Sequence, residues 1–375
     1  MTGSRTVVVA PDSFKGSASA AEIARAISVG WTSVRPDDRV VPAPMADGGE
    51  GTIDAFELSI PEATRIPIVV QGPAGAQVAT SWLLLPSSAE FPGGVGLVEL
   101  AATSGITLLD ELAPLDAHTL GFGQAIADAL DHGVSRLLLA IGGSASTDGG
   151  VGALAALGAR FSDAQGRPIR LGNRGLGTLA RVDLSGLRAL PDGGAAILSD
   201  VTNPLLGPSG AAAVFGPQKG ANEAQVLGLE SSLARLERLV RTARPTVRGT
   251  TPGAGAAGGT GFGLLAWGAV LAPGADAVGA ALGLPVLVAA ADVVVTGEGR
   301  FDAQSAAGKV PTYVAGLARS AGARALLVAG TIDADDVPFD DAVSLVELAG
   351  NAADAMADPA TWARAAGALL ASRIR

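Results

Sequence analysis

The chain repeats one local pattern. A short apolar run passes into a loop of Gly, Asp, Ser and Lys, and the loop opens a helix. Val7-Val8-Val9-Ala10 leads into Asp12-Ser13-Phe14-Lys15-Gly16-Ser17, and Val40-Val41 into Asp47-Gly48-Gly49-Glu50-Gly51-Thr52. Leu137-Leu138-Leu139-Ala140-Ile141 leads into Gly142-Gly143-Ser144-Ala145-Ser146-Thr147-Asp148-Gly149-Gly150, and Val293-Val294-Val295 into Thr296-Gly297-Glu298-Gly299-Arg300-Phe301-Asp302. Apolar residues on consecutive rather than alternate positions suit parallel strands buried on both faces. In a parallel sheet such loops gather at the carboxyl ends of the strands, where open α/β folds bind ligands. Glycine lets backbone N–H groups approach an anion, and helix N-termini add a positive dipole end. Carboxylates beside them point to a metal ion or to a proton in transit. Together the loops read as a site that handles phosphate.

Six segments carry the buried-strand pattern: residues 6–10, 39–42, 136–141, 292–296, 325–329 and 343–346. Ser19-Ala20-Ala21-Glu22 is a capping box that starts a helix at Ala20, with Gly30 as its stop. Further helices are expected over 123–131, from about Gly150, from about Pro311, and over 359–372. Residues 63–100 differ, with strand-like pieces at 65–71, 78–85 and 96–100, Gly-Pro turns between them and no helix, as in a mixed or antiparallel sheet. Residues 160–260 hold a strand-like run at 195–199 and a charged helix over 222–242. The expected architecture is α/β: a doubly wound, parallel-sheet, Rossmann-like domain with a second α/β domain of mixed sheet inserted into it and a ligand cleft between. The first domain takes residues 1–62, 119–157 and 262–375, and the inserted one 63–118 and 158–261.

Composition narrows the chemistry. With 48% apolar and 17% charged residues, wholesale disorder is excluded. A formal net charge of −10 argues against a nucleic-acid partner. It leaves an anionic substrate open, because a nest of N–H groups with one Lys can outweigh the global field. There is no Cys, so thiol chemistry and thiolate metal sites are excluded, and with only His118 and His132 a Ser-His-Asp triad has little to work with. Both histidines read as structural. The stretch 249–275 carries no charge, but Gly and Pro interrupt it, and it reads as a loop followed by a buried helix rather than a membrane span. Met1 to Arg5 run straight into a strand with no apolar stretch of leader length, and the reading is a soluble cytoplasmic protein of open oligomeric state.

Each motif has a chemical and a plain reading. Lys15 and the surrounding N–H groups can hold an anion, with Asp12 on a metal or orienting Lys15; otherwise this is a turn with a solvated Lys. Asp47 and Glu50, three apart among glycines, can accept a hydroxyl proton or hold Mg²⁺, or form an Asp-Gly turn that caps the next helix through Thr52. The loop 142–150 looks like a cradle for a triphosphate, with Asp148 reaching Mg²⁺ or capping the helix. Asp200 ends a strand-like run, and Phe215-Gly216-Pro217-Gln218-Lys219-Gly220 adds a second phosphate-binding Lys candidate. Gly253, Gly255 and Gly258 formally spell G-x-G-x-x-G, but residues 247–251 before them make a poor strand, so a loop lining a nucleotide is preferred over a dinucleotide site. No G-x-x-x-x-G-K-[ST] occurs. Glu298, Arg300, Asp302 and Lys309 bracket a strand end, as charge compensation for phosphoryl transfer or as a salt-linked loop.

Taken in order, these blocks resemble the glycerate kinase family of the bacterial type. The resemblance rests on Ala10-Pro11-Asp12-Ser13-Phe14-Lys15-Gly16-Ser17, Ala46-Asp47-Gly48-Gly49-Glu50-Gly51-Thr52, the loop 142–150, Asp200-Val201-Thr202-Asn203-Pro204-Leu205, the 215–220 block, 252–259 and 296–302. It covers residues 7 to about 311. The chain departs from the family's pattern at Ser146-Thr147, where Thr-Asn is common, and around His118, Leu120 and Phe122, where small hydroxyl residues and a Tyr are usual.

The resemblance implies transfer of the ATP γ-phosphoryl group to a hydroxyl of D-glycerate, with Mg²⁺ as cofactor and 2-phosphoglycerate as the favoured product. The roles it suggests are Asp47, Asp200 and Lys15 in catalysis, and Ser13, Lys15, Asp12 and Arg300 at the substrate. Gly142, Gly143, Ser144, Ser146, Thr147, Asp148, Lys219, Gly258 and Gly259 fall to the nucleotide, and Glu298 and Asp302 to the metal. Two rival readings are a regulator on the same fold that binds without turnover, and an NAD(P)-dependent oxidoreductase using the 253–258 loop.

Overall fold

The computed structural model describes residues 4–14, 16–302, 309–333 and 338–374. The strands among the described residues are β1 (Thr6–Pro11), β2 (Arg39–Pro42), β3 (Thr64–Gln71), β4 (Gln77–Leu85), β5 (Val95–Glu99), β6 (Arg136–Ala140), β7 (Arg160–Ser162), β8 (Arg181–Asp183), β9 (Ala195–Leu198), β10 (Val270–Ala272), β11 (Val293–Phe301), β12 (Arg324–Ile332) and β13 (Asp341–Ser344). Two compact units share them. The first comprises Met1–Asp47, Asp54–Pro61 and Gly274–Arg375, and the second Gly48–Ile53 and Glu62–Pro273.

The first unit is built on a five-stranded sheet in the order β13-β12-β11-β1-β2. All its pairings are parallel, with Val7 opposite Val293 and Val8 opposite Val41. Val7, Val8, Val9 and Ala10 are fully buried, as a central strand covered on both faces requires. β2 is more exposed, because it is an edge strand beside β1 alone. The helix Ala20–Val34 starts at the expected capping box, Ser19 with Glu22, and buries Ile23, Ile27 and Trp31 at four-residue spacing. It runs through Gly30, which does not stop it. A Cβ at Gly30 would meet the Arg364 backbone, and one at Gly367 the Ile27 backbone, so each glycine lets the helices Ala20–Val34 and Pro359–Arg373 approach closely.

The second unit carries a six-stranded mixed sheet in the order β10-β9-β6-β5-β4-β3. β3, β4 and β5 are antiparallel, as the Gly-Pro turns predict, while β5, β6, β9 and β10 run parallel. Phe122, Ile126, Leu139, Leu154, Leu233 and Phe262 are among the residues of its core. The charged helix, Glu223–Ala243, is capped by Asn222 with Gln225 and buries only Leu229, Leu233, Leu236 and Val240. β7 and β8 form a separate antiparallel pair.

Three assignments change. Gly48–Ile53, expected in the first domain, belong to the second unit, where the Gly48 carbonyl accepts from Gly142 N–H and Glu99 from Gly51 and Ile53 N–H. Residues 119–157 belong to the second unit, since β6 is hydrogen-bonded between β5 and β9. Residues 262–273 belong there too, because β10 pairs with β9. A strand buried on both faces has the same composition at the centre of either parallel sheet, so its apolar run announces burial without naming its neighbours. The strand expected over 343–346 ends at Ser344, whose side chain accepts from the Glu347 N–H and caps the helix Leu345–Ala349. No helix among the described residues is long and apolar enough to cross a membrane.

Candidate active site

The first unit gathers carboxylates at the carboxyl ends of adjacent strands. Beyond Pro42 the chain keeps following β1, through Ala43 N–H to the Val9 carbonyl and Met45 N–H to the Pro11 carbonyl, each at 2.8 Å. This brings it to a half-buried Asp47. Asp12 follows β1, donates its N–H to the Gly297 carbonyl at 2.8 Å, and accepts from Ser13 N–H at 2.7 Å. Glu298 lies on β11 one residue beyond that carbonyl, and both it and Asp12 are buried. Thr296 anchors the same strand end by donating its hydroxyl to the Ala10 carbonyl. Arg300 is exposed and pairs with Asp333 at 2.8 Å and with Asp302 at 3.8 Å. Arg300 and Asp302 are thus salt-linked to each other and to Asp333. Lys15 lies outside the described residues. No three His, Asp or Glu side chains converge as a metal-binding group among the described residues.

In the second unit the loop 142–150 leaves β6 and folds over its own carboxyl end. Gly142 donates to the Gly48 carbonyl at 2.9 Å, the Gly143 carbonyl accepts from Ile106, and Ala145 donates to Ser104. Gly143 adopts φ +73°, which turns the chain as a residue with a Cβ rarely can. The backbone N–H groups of Gly143, Ser144, Ser146, Thr147 and Asp148 donate to no partner among the described residues. The Ser146 and Thr147 hydroxyls are buried and have no partner among the described residues. A run of unspent donors on a Gly-rich turn is the arrangement that cradles anions, and buried polar atoms left unpaired cost free energy until something pairs them.

Lys219 completes this cradle. Pro217–Lys219 is a single 3₁₀ turn closed by Gly220 at φ +90°. The Lys219 side chain is buried and donates to Ser144 Oγ at 2.7 Å and to the Ser146 carbonyl. Burial pushes its ammonium down to about 7, while the nearby Asp148 pulls it back up.

Asp148 does something different from the expected nucleotide contact. One oxygen accepts from Thr119 N–H and Oγ1 at 3.0 and 2.9 Å and from Gly152 N–H at 3.2 Å; the other accepts from Gly150 N–H at 3.1 Å. It is fully buried, so it caps the helix Val151–Ala156 and ties it to the helix Leu120–Asp131 rather than reaching a ligand. Asn173 holds the same loop by donating to the Thr147 carbonyl at 2.8 Å.

Gly258 and Gly259 support the cradle from behind. Ala257, Gly258 and Gly259 form a left-handed turn at φ +53°, +66° and +86°, at the start of the helix Ala256–Trp267. Gly258 accepts from Gly149 N–H at 3.1 Å, and a Cβ on it would strike the Ser146 carbonyl and come within 2.8 Å of Thr147 Cα. The element before Gly253 is the helix Glu223–Ala243 and no strand runs into it, so the G-x-G-x-x-G match lacks the context of a dinucleotide fingerprint.

Two more carboxylates mark this edge of the second sheet. Asp200 follows β9 and is half-buried. Glu99 ends β5, is buried, and accepts from Gly51 and Ile53 N–H at 3.2 and 3.0 Å, securing the Gly-rich segment before the helix Thr52–Ser59. Sequence reasoning missed Glu99, Thr119 and Asn173. Glu99 was detectable as an acid closing an apolar strand, as Asp200 does; Thr119 and Asn173 carry no local signal, since their partners lie 29 and 26 residues away. His118, beside Thr119, is buried, and burial lowers its pKa against the opposing pull of Asp148.

Comparison with known proteins bears directly on this constellation. The sequence profile of the glycerate kinase family matches residues 7–375. The glycerate 2-kinase of Escherichia coli K12 is 41% identical over 335 residues, covering 88% of this chain and 86% of that protein. The glycerate kinase of Bacillus subtilis 168 is 41% identical over 336 residues, with the same shares. A crystal structure from Salmonella typhimurium LT2, of a protein assigned as a glycerate kinase 2, superposes with a TM-score of 0.83 at 37% identity, covering 99% of this chain and 98% of that one.

Proposed function

The chain belongs to the glycerate kinase family, and we propose that it acts as an ATP-dependent glycerate kinase, moving the γ-phosphoryl group onto the 2-hydroxyl of D-glycerate. The observation that carries the donor side is the cradle: the N–H groups of Gly143, Ser144, Ser146, Thr147 and Asp148, unspent among the described residues, two buried unpartnered hydroxyls, and the buried Lys219 side chain. That donor set suits an anion such as a chain of phosphates, because it offers hydrogen-bond donors and a basic side chain while both Asp148 oxygens are turned to Thr119, Gly150 and Gly152.

Phosphoryl transfer asks for positioning and charge neutralisation more than covalent work from the protein. A hydroxyl oxygen of glycerate forms the new bond to the γ-phosphorus. The bond from that phosphorus to the bridging oxygen breaks, and its electrons leave on ADP. The hydroxyl proton passes to a carboxylate. Asp47 is assigned this base: it is half-buried at a strand end and immediately precedes Gly48, the residue whose carbonyl anchors the cradle loop. Asp200 is the second candidate for that role. Ser13, Asp12 and Lys15 are assigned to the acceptor, and Arg300 to its charge. Ser144, Ser146, Thr147 and Lys219 hold the nucleotide phosphates, and Gly142, Gly143, Gly258 and Gly259 shape the loop. Mg²⁺ takes one or two carboxylates together with phosphate oxygens. Glu298 and Asp302 are the residues that would hold it, and when bound it neutralises charge building on the phosphates.

ADP release from MgATP, with and without D-glycerate, tests this reading, with the product identified by NMR. Glycerate-dependent ADP with 2-phosphoglycerate is the expected result. A 3-phosphoglycerate product would move the acceptor oxygen while keeping the kinase. No ADP above background, with glycerate or other small hydroxy acids, would leave a binding protein without turnover.

A further inference from the structure

Lys219 is a buried basic side chain with neutral partners. Among the described residues its side-chain nitrogen reaches only Ser144 Oγ and the Ser146 carbonyl, and the Asp148 carboxylate acts on it without a direct bond, its oxygens accepting instead from Thr119, Gly150 and Gly152. Among the described residues the other elements around it add no counter-ion. The helix Ala211–Phe215 has no titratable residue, and Leu112, against Gly220, is flanked by Glu111 and Asp110, both exposed to water like Glu223. His118 is buried, and burial lowers its pKa against the opposing pull of Asp148, so it adds no negative charge. A charge removed from water with no opposite charge bonded to it is costly, and such a group tends to give up its proton.

We infer that the nucleotide phosphate is the counter-ion for which Lys219 is held, and that binding it draws a proton from solvent onto Lys219. The inference rests on the cradle being the nucleotide-phosphate site. Before binding, burial leaves the side chain near 7, so above neutrality it is mostly an amine. A phosphate oxygen beside it favours the ammonium, as any opposite charge within a few ångströms does. The neutral amine also spares the empty cradle a buried charge. The ammonium then forms when the anion arrives, and Ser146, Thr147 and the loop N–H groups complete the anion's shell. Binding and protonation are linked, so affinity for the nucleotide falls as pH rises past neutrality.

Isothermal titration calorimetry of the full chain with MgADP, in two buffers of different ionisation enthalpy, reads the protons taken up per nucleotide. At pH 8.5 the phosphates of ADP are fully ionised, and uptake should approach one proton; at pH 6 the contribution of Lys219 should fall to about 0.1. Lys219→Arg, which stays charged, should bind MgADP with no uptake at pH 8.5. Lys219→Met should lose the uptake and bind at least tenfold more weakly. Wild-type binding at pH 8.5 without proton uptake would overturn the inference and leave the nucleotide site standing, as would undiminished uptake in Lys219→Arg. Absence of MgADP binding in the wild type would overturn the reading beneath it. The wild-type comparison of the two pH values decides the matter even where a variant fails to fold.

Discussion

Gly258→Ala isolates the link between backbone shape and phosphate binding. Gly258 sits at φ +66°, where an L side chain costs roughly 1–2 kcal/mol. Its new Cβ would also strike the Ser146 carbonyl and lie 2.8 Å from Thr147 Cα, both backbone neighbours that cannot swing aside. Overpacking of this kind costs about 1–3 kcal/mol. The stability loss expected from urea unfolding is therefore about 2–5 kcal/mol, less whatever the loop recovers by moving. That movement displaces the cradle. Losing one hydrogen bond to a charged phosphate, at about 1.5–3 kcal/mol, raises the ATP KM roughly 10- to 150-fold, with a smaller change for glycerate. Gly228→Ala is the control in the same unit. It lies in the helix Glu223–Ala243, and its Cβ would meet nothing within 4 Å, so it should stabilise by about 0.5–1 kcal/mol and leave both KM values alone. An ATP KM within threefold of wild type in a folded Gly258→Ala protein would refute the claim that this turn supports the phosphate cradle.

Asp47→Asn should lower kcat about 10²–10⁴-fold with the circular dichroism spectrum and melting temperature retained, since a positioned base is worth that much; unchanged turnover passes the role to Asp200. Lys219 also makes stability depend on pH. Its folded value lies near 7, below the unfolded 10.5, so between those pH values the unfolded chain binds more protons and stability rises with pH. Lys219→Met should therefore stabilise the nucleotide-free protein most below pH 7, by up to about 5 kcal/mol, with the advantage gone by about pH 10.5; a pH-independent difference in thermal unfolding would contradict this. Gly367→Ala should destabilise the first unit by about 1–3 kcal/mol in spite of the better helix propensity of Ala, because its Cβ meets the Ile27 backbone; a higher melting temperature would show that the two helices have room to spare.

Much of the site was written locally. The loop 142–150 announced itself by an apolar strand followed by Gly, Ser and Thr, and the structure gives it unspent donors. Lys219 was found only as one basic residue in a Gly-Pro-rich turn, and nothing nearby in sequence indicated that it would bond to Ser144, 75 residues away. Asp148 shows the reverse. Its position allowed a ligand contact or a helix cap, and four hydrogen bonds make it the cap, two of them from Thr119 at the head of a different helix.

The sequence alone determined the elements and their faces. The capping box at Ser19, the alternation or continuity of apolar residues, and Gly where φ must be positive are effects of residues a few positions apart, so they survive being read one window at a time. Membership of a sheet, and the charge states of Lys219 and His118, belong to the tertiary structure. β6 reads the same at the centre of either sheet, and only its hydrogen bonds to β5 and β9 place it. An ammonium is driven toward neutrality only when distant parts of the chain close over it and exclude water, and no local window contains those parts.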